Sequence, residues 1–128
     1  DPIVFIAGGS GITPFYPIIK SFASRSEIIL LYSNRTVKDI IFKKQLKRLA
    51  KENDSFQIRF FVTHQSGTDF TAKRIDKNDL ESVKKEATQW YICGPPGMTT
   101  GVTEQLLELG VTEARIHKET WEIPGKNG

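Results

Sequence analysis

Two turns rich in glycine and proline, each placed directly after a short apolar run, constrain this chain more than any other feature. The first turn, residues 8–14, reads Gly-Gly-Ser-Gly-Ile-Thr-Pro and follows the apolar residues 3–7. The second, residues 93–98, reads Cys-Gly-Pro-Pro-Gly-Met and follows residues 90–92. Short apolar runs are typical of strands buried on both faces of a parallel sheet. If both strands belong to one such sheet, both turns emerge at its carboxyl edge, where open α/β sheets bind ligands.

Strand and helix patterns alternate along the chain, which predicts an α/β fold built on a doubly wound, five-stranded parallel sheet with helices on both faces. Three predicted strands are apolar, at residues 3–7, 27–33 and 89–93, and two are more polar, at residues 56–63 and 114–121. Apolar strands belong in the centre of such a sheet and polar ones at its edges. The predicted strand order is therefore 3-2-1-4-5, which places both turns beside one crevice.

The helix starts are predicted from capping signals. Thr13 is suited to cap the first helix and Pro14 to open it. The spacing i, i+3, i+4, i+7 predicts one buried face for this helix, formed by Phe15, Ile18, Ile19 and Phe22. Asp79 is expected to cap a short helix that ends near residue 87.

Composition limits the possible classes of protein. A hydrophobic content of 38% and a charged content of 26% are ordinary for a globular domain, and no apolar run approaches the roughly 20 residues of a membrane span. One cysteine and two separated histidines offer no metal-ligand spacing, so no metal site is predicted. Because a lone cysteine forms no internal disulfide, we expect a cytoplasmic location.

Residues 38–52 carry a local excess of positive charge. They contain six basic residues, Lys38, Lys43, Lys44, Lys47, Arg48 and Lys51, against Asp39 and Glu52. A solvated helix face explains this pattern, and a docking patch for an acidic protein or a phosphate is the alternative. Aromatic residues are not interleaved with these charges, so we do not expect nucleic acid as a partner.

The first turn has the composition of an anion-binding loop, since glycine lets backbone amides approach a negative group closely. A tight turn without a ligand is the alternative. A G-x-G-x-x-G fingerprint would need glycine where Pro14 stands, and a nucleophile elbow would need it at Ile12. A P-loop is excluded because no lysine follows the glycines.

Cys93 ends a predicted central strand and stands before a stiff Gly-Pro-Pro segment. A cysteine in such a place is either a small buried apolar residue or part of a site. No histidine is near in sequence to act as a base, so we do not interpret Cys93 as a nucleophile.

Together, the two turns resemble those of the nicotinamide-nucleotide-binding domain of the ferredoxin–NADP reductase family, which includes cytochrome b5 reductases and oxygenase reductases. The resemblance covers residues 1–121, which are predicted to form an NAD(P)-binding domain, and residues 122–128 are predicted to be a flexible tail. The family's flavin-binding barrel is absent and is expected upstream of Asp1. The resemblance therefore implies FAD or FMN on a separate domain.

The resemblance also implies cofactor-binding roles. The first turn would receive the pyrophosphate through Gly8, Gly9, Ser10, Gly11, Thr13 and Pro14. The ribose would be recognised by Ser33, Asn34, Arg35 and Thr36. The nicotinamide and the wall beside it would involve Cys93, Gly94, Pro95, Pro96 and Met98. Phe42 would lie near the adenine, or alternatively in the core beside Leu46.

Catalytic roles are implied for Cys93, Thr13 and Glu119, with the Cys93 thiol orienting the nicotinamide ring. Glu119 and Trp121 resemble an acid–x–aromatic ending that approaches the flavin, although Trp121 is equally suited to a structural place on an edge strand. Ser33 is not acidic and Arg35 could bind a 2′-phosphate, whereas the segment around Asn34 resembles NADH-using members. The choice between NADH and NADPH is therefore open.

The resemblance implies a flavin-dependent oxidoreductase that passes electrons to ferredoxin, an iron–sulfur protein or a haem protein. The isolated domain would be inactive without its flavin domain. Two other classes remain: a non-catalytic regulatory or assembly subunit that binds nucleotide, and a protein-docking module that uses the basic helix.

Overall fold

The computed structural model describes residues 1–120, in which strands and helices alternate. The strands are β1 (Ile3–Gly8), β2 (Ile28–Asn34), β3 (Phe56–Val62), β4 (Gln89–Gly94) and β5 (Ile116–Thr120). The α-helices are α1 (Tyr16–Phe22), α2 (Lys43–Glu52), α3 (Lys77–Val83) and α4 (Pro96–Glu108). Trp121 and the predicted tail, residues 122–128, lie outside the described residues.

The five strands form one parallel sheet in the order β3-β2-β1-β4-β5, which confirms the predicted fold class and strand order. The two polar strands are the edges. Ala7 of β1 lies opposite Cys93 of β4, and Gly8 lies opposite Ser33 of β2. The register therefore brings the first turn, the second turn and the end of β2 to one edge of the sheet.

Apolar side chains fill both faces of the sheet. On one face α1 and α2 pack over a cluster that includes Phe5, Ile19 and Leu46. On the other face α3 and α4 cover a cluster that includes Trp90 and Leu106. Full burial of such side chains stabilises the fold by roughly 1.5–3 kcal/mol each, so both layers hold the sheet in place beneath its carboxyl edge.

The first helix begins later than its capping signal predicts. Thr13 has helical dihedral angles, φ −56° and ψ −48°, whereas an N-cap residue is extended. The preceding Gly9–Ile12 segment forms a 3-10 turn, and the Thr13 N–H donates to the Ser10 carbonyl at 3.0 Å. The regular helix starts at Tyr16, because the chain first completes this tight turn.

The predicted buried face of the first helix is only half right. Phe15 and Ile19 are buried, but Ile18 and Phe22 are 42% and 40% exposed. The buried stripe follows i, i+4 spacing and continues to Ala23, because the short helix touches the sheet along a narrow line.

The cap of α3 is Asp76 rather than Asp79, and the helix ends at Val83. The two aspartates form a reciprocal capping box: the Asp79 N–H donates to Asp76 Oδ1 at 3.0 Å, and the Asp76 N–H donates to Asp79 Oδ2 at 2.8 Å. Asp79, only 9% exposed, also pairs with Lys73 and with Arg59. Within residues 1–120, none of the helices has the length and apolar character needed to cross a membrane.

Candidate functional site

The two glycine and proline turns touch each other. A Cβ atom placed on Gly11 would lie 2.1 Å from the carbonyl oxygen of Cys93 and 2.6 Å from its carbonyl carbon. No side chain fits at those distances, so only glycine allows the first turn to pack on the backbone of the second. The contact fixes the two turns as one unit at the carboxyl edge.

Gly9 is held from beneath by Tyr32, a residue that the sequence patterns did not single out. Gly9 adopts a left-handed φ of 55°, which glycine tolerates readily. The Tyr32 hydroxyl donates to the Gly9 carbonyl at 3.0 Å and accepts from the Ile41 N–H at 3.1 Å. Burial raises the pKa of Tyr32, against the smaller lowering effect of the hydrogen bond from the Ile41 amide, so the hydroxyl keeps its proton.

Between the turns and the end of β2 lies a cleft of about 690 Å³. Eight residues proposed from the sequence as cofactor-binding line it: Gly8, Gly9, Ser10, Ser33, Asn34, Arg35, Pro95 and Met98. The position agrees with the switch point of the sheet, where β1 is flanked by β2 and β4.

The other proposed residues lie around the cleft rather than in its lining. Gly11, Cys93 and Gly94 are buried where the turns meet, Pro14 and Thr36 are half-buried, and Thr13 and Pro96 are exposed. Phe42 stacks on Tyr16 with ring centroids 4.2 Å apart. Glu119 is exposed on β5, in register with Cys93.

Cys93 is 1% exposed, and its environment opposes ionisation. Burial raises the pKa of the thiol, and the negative charge of Glu119 raises it further. A neutral, buried thiol is a poor nucleophile, which favours a packing or orienting role for this side chain.

The cleft is also lined by residues that the sequence patterns did not propose as cofactor-binding: Gly97 of the second turn, and Asp39, Ile41, Thr63, Arg74, Ile75, Gly101, Val102 and Gln105. Asp39 is held in place by Thr36, whose N–H and Oγ1 donate to Asp39 Oδ2 at 3.2 and 2.8 Å. The Thr-x-x-Asp spacing of this capping box was a visible signal for Asp39. Arg74 and Gln105 had no comparable local signal.

Two residues that line the cleft, Asn34 and Gln105, carry buried polar atoms without partners. Asn34 is 6% exposed, and neither its amide nitrogen nor its amide oxygen has a hydrogen-bond partner in residues 1–120. The Oε1 atom of Gln105 is also buried and unpaired within that range. An unsatisfied buried polar group costs about 1–3 kcal/mol, so a ligand with matching donors and acceptors would be stabilised here.

The doubly wound sheet, the glycine turn at its switch point and the cleft beside that turn are the features of a nucleotide-binding α/β domain. Residues 5–104 match the family model described as the oxidoreductase NAD-binding domain. The chain belongs to this family, which confirms the resemblance inferred from the two turns.

Relatives and solved structures agree with the family. NADH-cytochrome b5 reductase 1 of Dictyostelium discoideum is 32% identical over 123 residues, covering 89% of this chain and 43% of the relative. The FAD/NAD-binding domain of nitric oxide dioxygenase from Vibrio cholerae O1 biovar El Tor is similar with a TM-score of 0.85 and 29% identity, covering 94% of this chain and 51% of that one.

The cytochrome b5 reductase domain of Ulva prolifera nitrate reductase is similar with a TM-score of 0.83 and 30% identity, over 92% of this chain and 48% of that one. The chain thus spans about half of these structures, and less than half of the curated relative.

Proposed function

We propose that this chain is the NAD(P)H-binding domain of a flavin-dependent oxidoreductase, and that it presents the nicotinamide to a flavin on a separate domain. The contact between Gly11 and Cys93 carries the proposal, because it joins the turn suited to a diphosphate with the turn that bears the thiol. The relatives named NADH-cytochrome b5 reductase support the same activity.

Residues in and around the cleft would supply binding and orientation. The backbone of the first turn would hold the diphosphate, and the unpaired amide of Asn34 would bind the adjoining ribose. Cys93, in the second turn, would support the nicotinamide ring without attacking it. Thr13, in the first turn, would lie near it. Glu119, in register with Cys93 on β5, would lie toward the flavin. The bound dinucleotide would supply the hydride that the flavin accepts.

NADH is the preferred nucleotide in this proposal. Asp39 lines the cleft beside Arg35, and Thr36 holds its carboxylate in position. A carboxylate there accepts hydrogen bonds from a ribose hydroxyl and repels a 2′-phosphate. The printed names of the cytochrome b5 reductase relatives also specify NADH.

The flavin domain and the electron acceptor belong to the proposal as well. The chain covers 43% of its curated relative, which leaves room for an FAD- or FMN-binding domain in a longer protein. Relatives named after cytochrome b5 favour a haem protein as the acceptor over an iron–sulfur protein. The free thiol of Cys93 favours a reducing, cytoplasmic location.

Calorimetric titration of the chain with NADH and NADPH tests the proposal. We expect saturable binding with NADH the tighter ligand, and no reduction of ferricyanide by the flavin-free chain. A flavin-containing protein that includes this domain should catalyse that reduction. Absence of binding to both nucleotides at millimolar concentration contradicts the proposal, and binding without activity of the flavin-containing protein favours a regulatory subunit.

A further inference from the structure

A single buried hydroxyl connects two walls of the cleft. Tyr32 lies fully buried beneath the cleft and bonds Gly9, in the first turn, and Ile41, in the segment that follows β2. Both partners line the cleft, and the Ile41 segment also carries Asp39. One wall is the turn that follows β1 and the other is the segment that follows β2. Because Tyr32 bonds both, this pair of hydrogen bonds sets the distance between them.

The bond to Gly9 determines which way the following amide points. In a trans peptide the carbonyl of one residue and the N–H of the next point in opposite directions, and residues 1–120 contain no cis peptide bond. Because the Gly9 carbonyl is directed to Tyr32, the Ser10 N–H points outward, away from Tyr32, and Ser10 itself lines the cleft. An outward amide is the donor that an anionic group requires.

We propose that Tyr32 is a positioning residue: its hydroxyl orients the Gly9–Ser10 peptide for a diphosphate and couples that peptide to the Asp39 segment. The inference rests on the proposed nucleotide-binding function and adds a residue to it. Tyr32 does not itself line the cleft, so it acts through Gly9 and Ile41.

Glycine needs such an anchor more than other residues do. With φ at 55°, Gly9 lies in the left-handed region of backbone dihedral angles, and glycine moves easily from this region to other backbone conformations. Its own backbone therefore does not fix the direction of its carbonyl group. The neutral phenol provides one donor, taken by Gly9, and an acceptor, taken by Ile41. Burial keeps the phenol neutral at ordinary pH, so this pattern persists.

The packing role of the Tyr32 ring is separable from the role of its hydroxyl. The ring lies 6.2 Å from that of Phe60, centroid to centroid, within the core under α1 and α2. Tyr32→Phe keeps this ring and removes only the hydroxyl. Tyr91→Phe is the matched control, since the Tyr91 ring packs on Phe5 and His117 and does not line the cleft.

The first test is calorimetric titration of the full chain with NADH, ADP and adenosine. We expect Tyr32→Phe to weaken NADH and ADP binding about tenfold and adenosine binding much less. Tyr91→Phe should bind all three as the unchanged chain does. A purely structural role would lower the melting temperature of Tyr32→Phe and leave these affinities, and their ratio, unchanged, which would overturn the inference.

The second test needs no ligand. Backbone amide exchange and NMR shifts of the free chain should show a loss of protection at Ile41 and a displaced resonance at Ser10 in Tyr32→Phe, with neither change in Tyr91→Phe. Unchanged Ile41 protection and an unchanged Ser10 resonance would overturn the inference whatever the nucleotide affinity. Failure of the unchanged chain to bind NADH would instead contradict the proposed function.

Discussion

The α-carbon of Gly11 packs against the carbonyl group of Cys93, close enough that a Cβ atom would lie 2.1 Å from the carbonyl oxygen. Gly11 belongs to the turn after β1 and Cys93 to the end of β4, so the contact joins adjacent central strands at their carboxyl ends. The cleft exists because these turns meet there.

Gly11→Ala should therefore damage both stability and binding. The added methyl group meets backbone atoms, which cannot rotate away, so we expect a loss of about 1–3 kcal/mol in the free energy of unfolding, and weaker NADH binding. Chemical denaturation and calorimetry measure the two effects. Gly101→Ala is a control for stability only, because Gly101 lines the cleft: its Cβ would meet nothing within 4 Å, so alanine at this position in α4 should not destabilise the fold. Unchanged stability of Gly11→Ala would contradict the contact.

Cys93→Ala should slow hydride transfer more than it weakens binding. Loss of the thiol that we propose to support the nicotinamide ring would lower the stopped-flow rate of flavin reduction, in the flavin-containing protein, by about ten- to a hundredfold. NADH affinity should change by far less, because Cys93 is buried and does not line the cleft. Thr103→Ala, another small buried side chain outside the cleft, is the control. Equal losses in rate and affinity would argue against an orienting role.

Asp39→Asn should relax discrimination against NADPH. Asparagine keeps an oxygen that accepts from Thr36, so the capping box is retained while the charge is removed. We expect NADPH affinity to rise about tenfold, with NADH affinity slightly reduced. Titrations of both nucleotides provide the measurement, with the exposed Asp54→Asn as the charge control. If the ratio of NADPH affinity to NADH affinity is unchanged, Asp39 does not determine the nucleotide specificity.

The cap of α3 should make stability depend on acidic pH. Lys73 donates to Asp76 at 3.0 Å, and this bond, with that from the Asp79 N–H, lowers the pKa of Asp76 from 3.8 to about 2. The folded chain binds this proton more weakly than the unfolded chain does. The resulting stabilisation is complete above about pH 5 and is lost progressively as the pH falls through about 4 to about 2 and below.

Asp76→Asn tests this dependence, since asparagine still caps the helix but carries no charge. Its melting temperature should be lower than that of the unchanged chain near pH 6, and the difference should shrink as the pH approaches about 2. For Asp54→Asn, the difference in melting temperature from the unchanged chain should not shrink as the pH falls. A difference that stays constant across this range would contradict the role of the Asp76 charge.

Local patterns in the sequence were sufficient for the architecture. The polarity of each strand predicted its place in the sheet, because only the central strands must be apolar on both faces. The two turns predicted the binding edge, because parallel strands bring their carboxyl ends together. Helix starts were less predictable: Thr13 carries an N-cap signal but lies at the end of a 3-10 turn.

The sequence by itself determined the fold class, the strand order and the three segments that surround the cleft, since these depend on residue polarity and turn composition. Only the tertiary structure decided that Tyr32 anchors Gly9, and that Arg74 and Gln105 reach the same cleft. Those relationships depend on distances between segments far apart in the chain. Such distances arise from strand register and helix packing, which no local pattern encodes.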